Sequence, residues 1–282
     1  MRIIPAYDIE KTVARLVIEA NISLPRDVRD ALRSAVVDEP WETARGILQT
    51  LNDNAELAEK LRIPVCQDTG MACVFLELGR NVHIEGDIIA AVNSGVARGY
   101  EDGFLRKSIV ADPLRRTNTG DNTPAAVYVD YTNEHIADAV KITVAPKGFG
   151  SENMSRIKML RPSDGVAGVM DFVVETVELA GGNPCPPIIV GVGVGANFDK
   201  VALLAKRALL RPINERNADP FYASMERELL LRINALGIGP QGLGGKTTAL
   251  GVNVLAAPTH IAGLPVAVNV SCHVTRHITE VI

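Results

Sequence analysis

The sequence predicts a mixed α and β fold of the α+β class, in which a helical N-terminal region precedes a mixed-sheet domain. Two observations carry this prediction. Apolar residues recur at helical spacing through the first 62 residues. From residue 63 onward, short apolar or alternating runs typical of strands interrupt the helical pattern. We expect a single domain over residues 1–282, with a helical region at 1–62 and a mixed core at 63–282.

Three amphipathic helices are predicted before residue 63. The first is "IEKTVARLVIEANI", and the next two are "PRDVRDALRSAVVDE" and "PWETARGILQTLNDNAELAEKL". The last two open with proline, which is favoured at the first helical position because its φ is already helical.

The core then alternates between strands and helices. The predicted strands are "ACVFLELG", "AAVYVDYT", "KITVAP", "PPIIVGVGV", "GVNVLAAP" and "PVAVNVSCH". The predicted helices are "DIIAAVNSGVARGYEDG", "VAGVMDFVVETVELAGG", "FDKVALLAKRALL" and "ASMERELLLRINALG". No repeat, low-complexity segment or linker divides the chain, which favours one domain.

The composition excludes several classes of partner. With 29 Lys and Arg against 33 Asp and Glu, the net charge is −4, so no basic surface for nucleic acid or an anionic membrane is expected. No apolar stretch is long enough to span a membrane, and the first residues lack an apolar signal region. We therefore expect a cytoplasmic protein.

Four cysteines occur, at positions 66, 73, 185 and 272. In a reducing compartment they are core residues, reactive thiols or metal ligands rather than disulfides. Cys73 lies in the strand "ACVFLEL" and is expected in the core, whereas the other three lie in irregular segments or at a strand end. Taken singly, each of these three is explained as a buried thiol. Jointly, three dispersed thiolates could hold three irons of a [4Fe–4S] cluster and leave the fourth iron open as a Lewis acid for a hydro-lyase.

Two glycine-rich segments suggest other functions. "GIGPQGLGGKTT" ends like a phosphate-binding loop, but Pro240 stands where the motif needs its first glycine, and a helix-like segment precedes it. "GVGVGAN" lacks the third glycine of a dinucleotide turn and is read as a tight turn leaving a strand. A nucleotide-binding protein and a non-catalytic zinc or thiol protein stay as alternatives from other classes.

Seven motifs in order resemble the iron–sulfur class I fumarases, in particular the alpha subunit of the two-subunit form, which is related to the alpha subunit of L-tartrate dehydratase. The resemblance runs from about Ile9 to the end of the chain. The motifs are "CQDTG", "NTGDNTP", "PKGFGSEN", "NPCPP", "LRPI", "GIGPQGLGG" and "HIAGLPVAVNVSC".

The resemblance implies a ligand set and part of the active site. Cys66, Cys185 and Cys272 match the three protein ligands of a [4Fe–4S] cluster. Gln67 and Asp68 match a pair that lies against the substrate carboxylates and the cluster, with Asp68 assigned a catalytic role. On sequence alone, the favoured interpretation of Asp68 is a turn carboxylate that accepts hydrogen bonds from nearby amides.

Further residues are implied in the same way. Arg106 matches an arginine that grips a substrate carboxylate, and His260 matches a histidine of the active site with a catalytic role. Gly148 and Gly150 match substrate-binding glycines, although Phe149 stands between them where the family commonly has a third glycine. The plain alternatives are a solvated surface charge for Arg106 and a hydrogen-bonded core histidine for His260.

The implied reaction is the reversible hydration of fumarate to L-malate, with dehydration of L-tartrate as the alternative. In single-chain relatives, the catalytic base and further carboxylate-binding residues belong to a C-terminal half beyond the third cysteine region. A separate beta subunit is therefore implied, with a small dicarboxylate as substrate and a dimer of alpha–beta pairs as the assembly. Nucleic acid and membrane are not expected partners.

Overall fold

The computed structural model describes residues 1–132 and 136–282, and the chain divides into two compact units. Unit 1 contains Met1–Pro25, Ala55–Gly148 and Arg276–Ile282, and unit 2 contains Arg26–Asn54 and Phe149–Thr275. This division does not follow the expected boundary after residue 62, because the helical N-terminal region contributes to both units. The single-domain organisation stays a prediction.

The described residues form eight helices and ten strands, which confirms the mixed α and β class. The helices are α1 Ala6–Ile22, α2 Arg26–Asp38, α3 Glu42–Leu61, α4 Ile88–Asp102, α5 Phe149–Glu152, α6 Gly165–Ala180, α7 Phe198–Ala208 and α8 Pro220–Ala235. The strands are β1 Arg2–Pro5, β2 Met71–Gly79, β3 Val82–Glu85, β4 Ala126–Thr132, β5 Val140–Lys147, β6 Arg156–Leu160, β7 Ile188–Gly195, β8 Ala249–Ala257, β9 Leu264–Ser271 and β10 Ile278–Val281. Among the described residues, no helix has the length and apolar character that crossing a bilayer requires.

Unit 1 is built on a four-stranded sheet in the order β10-β5-β2-β4, with β1 and β3 paired separately. Strand β2 runs parallel to β4 and antiparallel to β5. Asp87 caps the N-terminus of α4, because its carboxylate accepts hydrogen bonds from the amides of Ile89 and Ala90 at 2.9 Å. Helix α4 approaches α1 closely, since a Cβ at Gly99 would lie 2.6 Å from the Ala14 carbonyl oxygen. Burial of α1, α4 and the sheet gives unit 1 its own core.

Unit 2 is built on a sheet in the order β6-β9-β7-β8, with β7 parallel to β8 and antiparallel to β9. In β7, the alternating sequence "VGVGVG" places the valines on one face of the strand and the glycines on the other. Val190 and Val192 pack into the core formed with α6 and α8. On the other face, a Cβ at Gly191 would lie 2.2 Å from the Ala205 carbonyl oxygen, so glycine admits α7 against the strand. Gly191 and Gly193 of "GVGVGAN" therefore serve strand–helix packing, whereas Gly195 has a φ of +86° and lies against the backbone of Ala257 in β8.

Candidate functional site

The "CQDTG" segment of unit 1, residues 66–70, leads directly into β2 and is held by several hydrogen bonds. The Asp68 Oδ1 atom accepts from the Gly70 amide at 2.9 Å. The Thr69 hydroxyl donates to the Arg106 carbonyl oxygen at 2.9 Å. Beneath it, the Tyr100 hydroxyl lies 2.7 Å from the Thr69 carbonyl oxygen and 2.8 Å from that of Gly70. Together these bonds fix the backbone that carries the Asp68 carboxylate.

Gly70 and Gly148 keep the space around this segment open. Gly70 has a φ of +75°, and a Cβ there would lie 2.7 Å from the backbone of Lys147. A Cβ at Gly148 would lie 3.1 Å from the Asp68 Oδ2 atom. The structure therefore brings Asp68 and Gly148 together, and the small size of Gly148 leaves room for the carboxylate.

The "NTGDNTP" motif braces the same segment. Asn122 is fully buried, and its Nδ2 donates to the Gly70 carbonyl oxygen at 3.2 Å. Its Oδ1 accepts from the Ser108 amide at 2.6 Å. A single side chain thus links the "CQDTG" segment to the segment of Arg106. In the same motif, the amide of Thr123 holds the pKa of Asp121 below its usual value.

The side chains predicted to grip the substrate are accessible. Arg106 and Gln67 are exposed, whereas Asp68 and Cys66 are half-buried. Tyr100 is completely buried, and this burial raises the pKa of its phenol far above the usual value, so the hydroxyl stays protonated as a donor. Sequence reasoning missed this tyrosine because it lies within an ordinary amphipathic helix.

Sequence reasoning also missed Arg276, which is only 5% exposed. Its Nη2 donates to the carbonyl oxygen of Asp68. In the sequence, this arginine is indistinguishable from one on the surface. Its burial is a tertiary feature of unit 1.

In unit 2, Cys185 and Cys272 lie at the same edge of the sheet, before β7 and after β9. The register pairs Ile189 with Ser271, which places the two segments side by side. The amide of His273 donates to the Cys185 carbonyl oxygen at 3.3 Å, and its Nδ1 lies 3.0 Å from the same oxygen. Cys185 adopts a φ of +54° and is exposed, while Cys272 is half-buried. The structure therefore brings this pair of segments together.

The "GIGPQGLGG" loop braces the Cys185 segment. The Gln241 amide and its Nε2 both donate to the Pro186 carbonyl oxygen, at 2.7 and 2.8 Å. A Cβ at Gly242 would lie 2.5 Å from the Gly182 Cα, so the two backbones are in contact. Gln241 was not singled out from the sequence.

The same loop does not have the element order of a phosphate-binding loop. That motif connects a strand to a helix, whereas this loop runs from helix α8 into strand β8. The Lys246 Nζ donates to the Asp38 carbonyl oxygen at 3.3 Å, and its amide donates to Glu39 at 2.8 Å. The nucleotide-binding alternative is therefore disfavoured by the fold as well as by the spacing.

Two further predicted residues lie elsewhere in unit 2. Gly150 is in α5, where a Cβ would meet only the Asn183 carbonyl oxygen at 3.8 Å, an ordinary contact. His260 is exposed between β8 and β9, and its Nδ1 accepts from the Ala262 amide at 3.1 Å. The connection between β8 and β9 lies at the opposite end of the strands from Cys185. An eight-residue strand such as β7 spans about 25 Å, so His260 is not brought to the cysteine pair of unit 2.

Comparison with known protein families decides the affiliation. The model of the family described as "Fumarate hydratase (Fumerase)" matches residues 10–281. The chain belongs to the fumarate hydratase family. The resemblance predicted from the seven motifs is thereby confirmed.

Relatives of this fumarate hydratase family member are named as alpha subunits. The putative L(+)-tartrate dehydratase subunit alpha of Methanocaldococcus jannaschii is 44% identical over 274 residues, which cover 95% of each chain. The L(+)-tartrate dehydratase subunit alpha of Escherichia coli K12 is 34% identical over 265 residues, which cover 94% of this chain and 87% of the relative. The chain is thus a hydro-lyase alpha subunit by family.

The cysteines match a thiolate-bound metal in residue type, and the segments of one pair lie side by side. None of the four forms a disulfide bond, and Cys73 is buried in β2, as predicted. Cys185 and Cys272 lie on hydrogen-bonded segments of unit 2, and Cys66 belongs to unit 1. Across residues 1–132 and 136–282, no group of three or more His, Cys, Asp or Glu side chains is arranged to hold a metal ion.

Proposed function

We propose that this chain is the alpha subunit of an iron–sulfur fumarate hydratase, which hydrates fumarate reversibly to L-malate together with a beta subunit. The observation that carries the proposal is the family match over residues 10–281. The braced "CQDTG" segment supports it, because a carboxylate held in a fixed orientation suits a reaction that moves a hydroxyl group and a proton.

The proposed cofactor is a [4Fe–4S] cluster held by Cys66, Cys185 and Cys272. The placement of three cysteines outside the strands supports this ligand set, whereas the fourth, Cys73, is buried inside β2. When bound, such a cluster supplies an iron without a protein ligand, which acts as a Lewis acid toward a hydroxyl or carboxylate oxygen.

The chain's own residues bind and orient the substrate in this proposal. The exposed guanidinium of Arg106 offers a planar fork to one substrate carboxylate, and Gln67 donates a hydrogen bond beside it. The hydrogen bond from the Gly70 amide to Oδ1 orients the Asp68 carboxylate. Gly148 keeps the space next to Oδ2 open, and Gly150 is assigned to substrate binding as well.

The catalytic base is assigned to the beta subunit. The relatives named as alpha subunits support such a partner. A dimer of alpha–beta pairs in the cytoplasm is the proposed assembly and location. The catalytic role of His260 stays a prediction, and its position in unit 2 gives that role no support.

Dehydration of L(+)-tartrate is the second candidate, and the names of the relatives at 44% and 34% identity favour it. The fumarate proposal rests on the description of the matched family, "Fumarate hydratase (Fumerase)". The test is a steady-state comparison of kcat/KM for fumarate, L-malate and L-tartrate with the anaerobically assembled alpha–beta protein. A higher kcat/KM for L-tartrate than for L-malate would replace fumarate hydration with tartrate dehydration.

A further inference from the structure

The side chain of Arg276 is an incompletely paired buried cation. It is 5% exposed, and within the described residues its guanidinium makes one hydrogen bond, from Nη2 to the carbonyl oxygen of Asp68. Its Nε and Nη1 atoms are buried and have no acceptor in that part of the chain. These two nitrogens carry more than half of the N–H groups of a guanidinium.

A buried guanidinium with unpaired donors is stabilised by an anion bound beside it. A guanidinium cannot shed its charge inside a protein, so burial without acceptors carries a large desolvation penalty. The side chains of the described residues include no carboxylate that forms an ion pair with Arg276. A bound anion would supply the acceptors that these two nitrogens lack.

The position of Arg276 indicates what that group is. Its Nη2 contacts the backbone of Asp68, the residue that carries the carboxylate of the proposed site. The next residue, Thr69, is hydrogen-bonded to the backbone of Arg106, to which one substrate carboxylate is assigned. The unpaired nitrogens thus lie beside the segment that faces the substrate in our proposal.

We propose that Arg276 binds a carboxylate of the substrate, an inference that rests on the proposed function. A guanidinium presents its donors in a plane that matches a carboxylate. With Nη2 anchored on Asp68, the remaining donors are fixed in direction before substrate arrives. One side chain then both holds the "CQDTG" segment and recognises the dicarboxylate.

The test compares ligands of the same shape and different charge. The dissociation constants of succinate and of its uncharged diamide, succinamide, are measured by anaerobic calorimetry on the alpha–beta protein. The variants are Arg276→Gln and Arg276→Lys, and the matched control is Arg15→Gln, which removes an exposed ion pair with Glu280 in the same unit. Fumarate turnover is measured on the same samples.

We expect Arg276→Gln to weaken succinate about 10- to 100-fold and to change succinamide by less than about twofold, since a charge-assisted pair contributes on this scale. Arg276→Lys retains part of the succinate affinity, and Arg15→Gln retains all of it. If Arg276→Gln lowers the affinity for succinate and succinamide equally, Arg276 only supports the "CQDTG" segment, and the inference is overturned. Unchanged binding of succinate to Arg276→Gln would overturn it as well.

Fumarate turnover separates the two failures. A wild-type protein that hydrates fumarate, with an Arg276→Gln variant that binds succinate normally, refutes the inference and leaves the function intact. A wild-type protein that neither hydrates fumarate nor binds succinate refutes both.

Discussion

Replacement of Gly70 by alanine tests whether the "CQDTG" segment depends on backbone contact with β5. The residue has a φ of +75°, and an added Cβ would lie 2.7 Å from the carbonyl carbon and oxygen of Lys147. Because Lys147 is paired with Met71 across the sheet, its backbone cannot move aside without breaking the register of β2 and β5. The substitution therefore meets two separate penalties.

The size of each penalty follows from the structure. A positive φ costs a residue with a Cβ roughly 1–2 kcal/mol. Overpacking against a fixed backbone adds about 1–3 kcal/mol. Gly120 is the matched control, because its φ is +82° and no atom lies within 4 Å of an added Cβ. Gly120→Ala incurs only the penalty for a positive φ. The free energy of unfolding of Gly70→Ala should therefore be lower than that of Gly120→Ala by about 1–3 kcal/mol.

The assay is urea unfolding of the two variants and the wild type, followed by tryptophan fluorescence and by circular dichroism. The free energy of unfolding should decrease modestly for Gly120→Ala and clearly more for Gly70→Ala. Equal free energies of unfolding in the two variants would show that Gly70 is not packed against Lys147 as described. The account of how Asp68 is held would then be wrong.

The remaining predictions concern the metal. Ser substitutions of Cys66, Cys185 or Cys272 should each abolish the cluster absorbance, whereas Cys73→Ser should retain it; a full cluster in any of the first three removes that cysteine from the ligand set. Gln241→Ala should lower the iron content after gel filtration by loosening the Cys185 segment, and unchanged iron would contradict this. Activity should decay in air and return with ferrous iron and a thiol reductant, and lasting stability in air would argue against an open iron. Analysis should give about four irons and four sulfides per chain, whereas zinc would favour the structural-thiol alternative.

The long elements could be predicted because they bury one face or both. The period of "IEKTVARLVIEANI" gave α1, and the apolar run "PPIIVGVGV" gave β7. Strands β1, β3, β6 and β10 were not predicted. Each has four or five residues with mostly exposed or half-buried side chains, so their pairing is decided by the neighbouring strand and leaves no pattern in the sequence.

The site could be predicted only as residue types in motifs. The motifs identified Asp68 and Gly148. The structure adds the reason for their proximity, which is the contact between the backbones of Gly70 and Lys147. Arg276, Tyr100 and Gln241 could not be found, because the burial of the first two and the hydrogen bonds of Gln241 to Pro186 depend on tertiary packing. The interleaving of two units is likewise invisible to local patterns.

The central claim is that this chain supplies part of a fumarate hydratase active site that a beta subunit completes. The direct measurement is anaerobic fumarate turnover by the reconstituted alpha chain, alone and with the beta subunit. Orientation of the reacting groups is worth roughly 7 kcal/mol or more, so the alpha chain alone should be slower by several orders of magnitude. Addition of the beta subunit should restore turnover. Equal turnover with and without the partner would place the base and the carboxylate-binding groups within this chain and contradict the account.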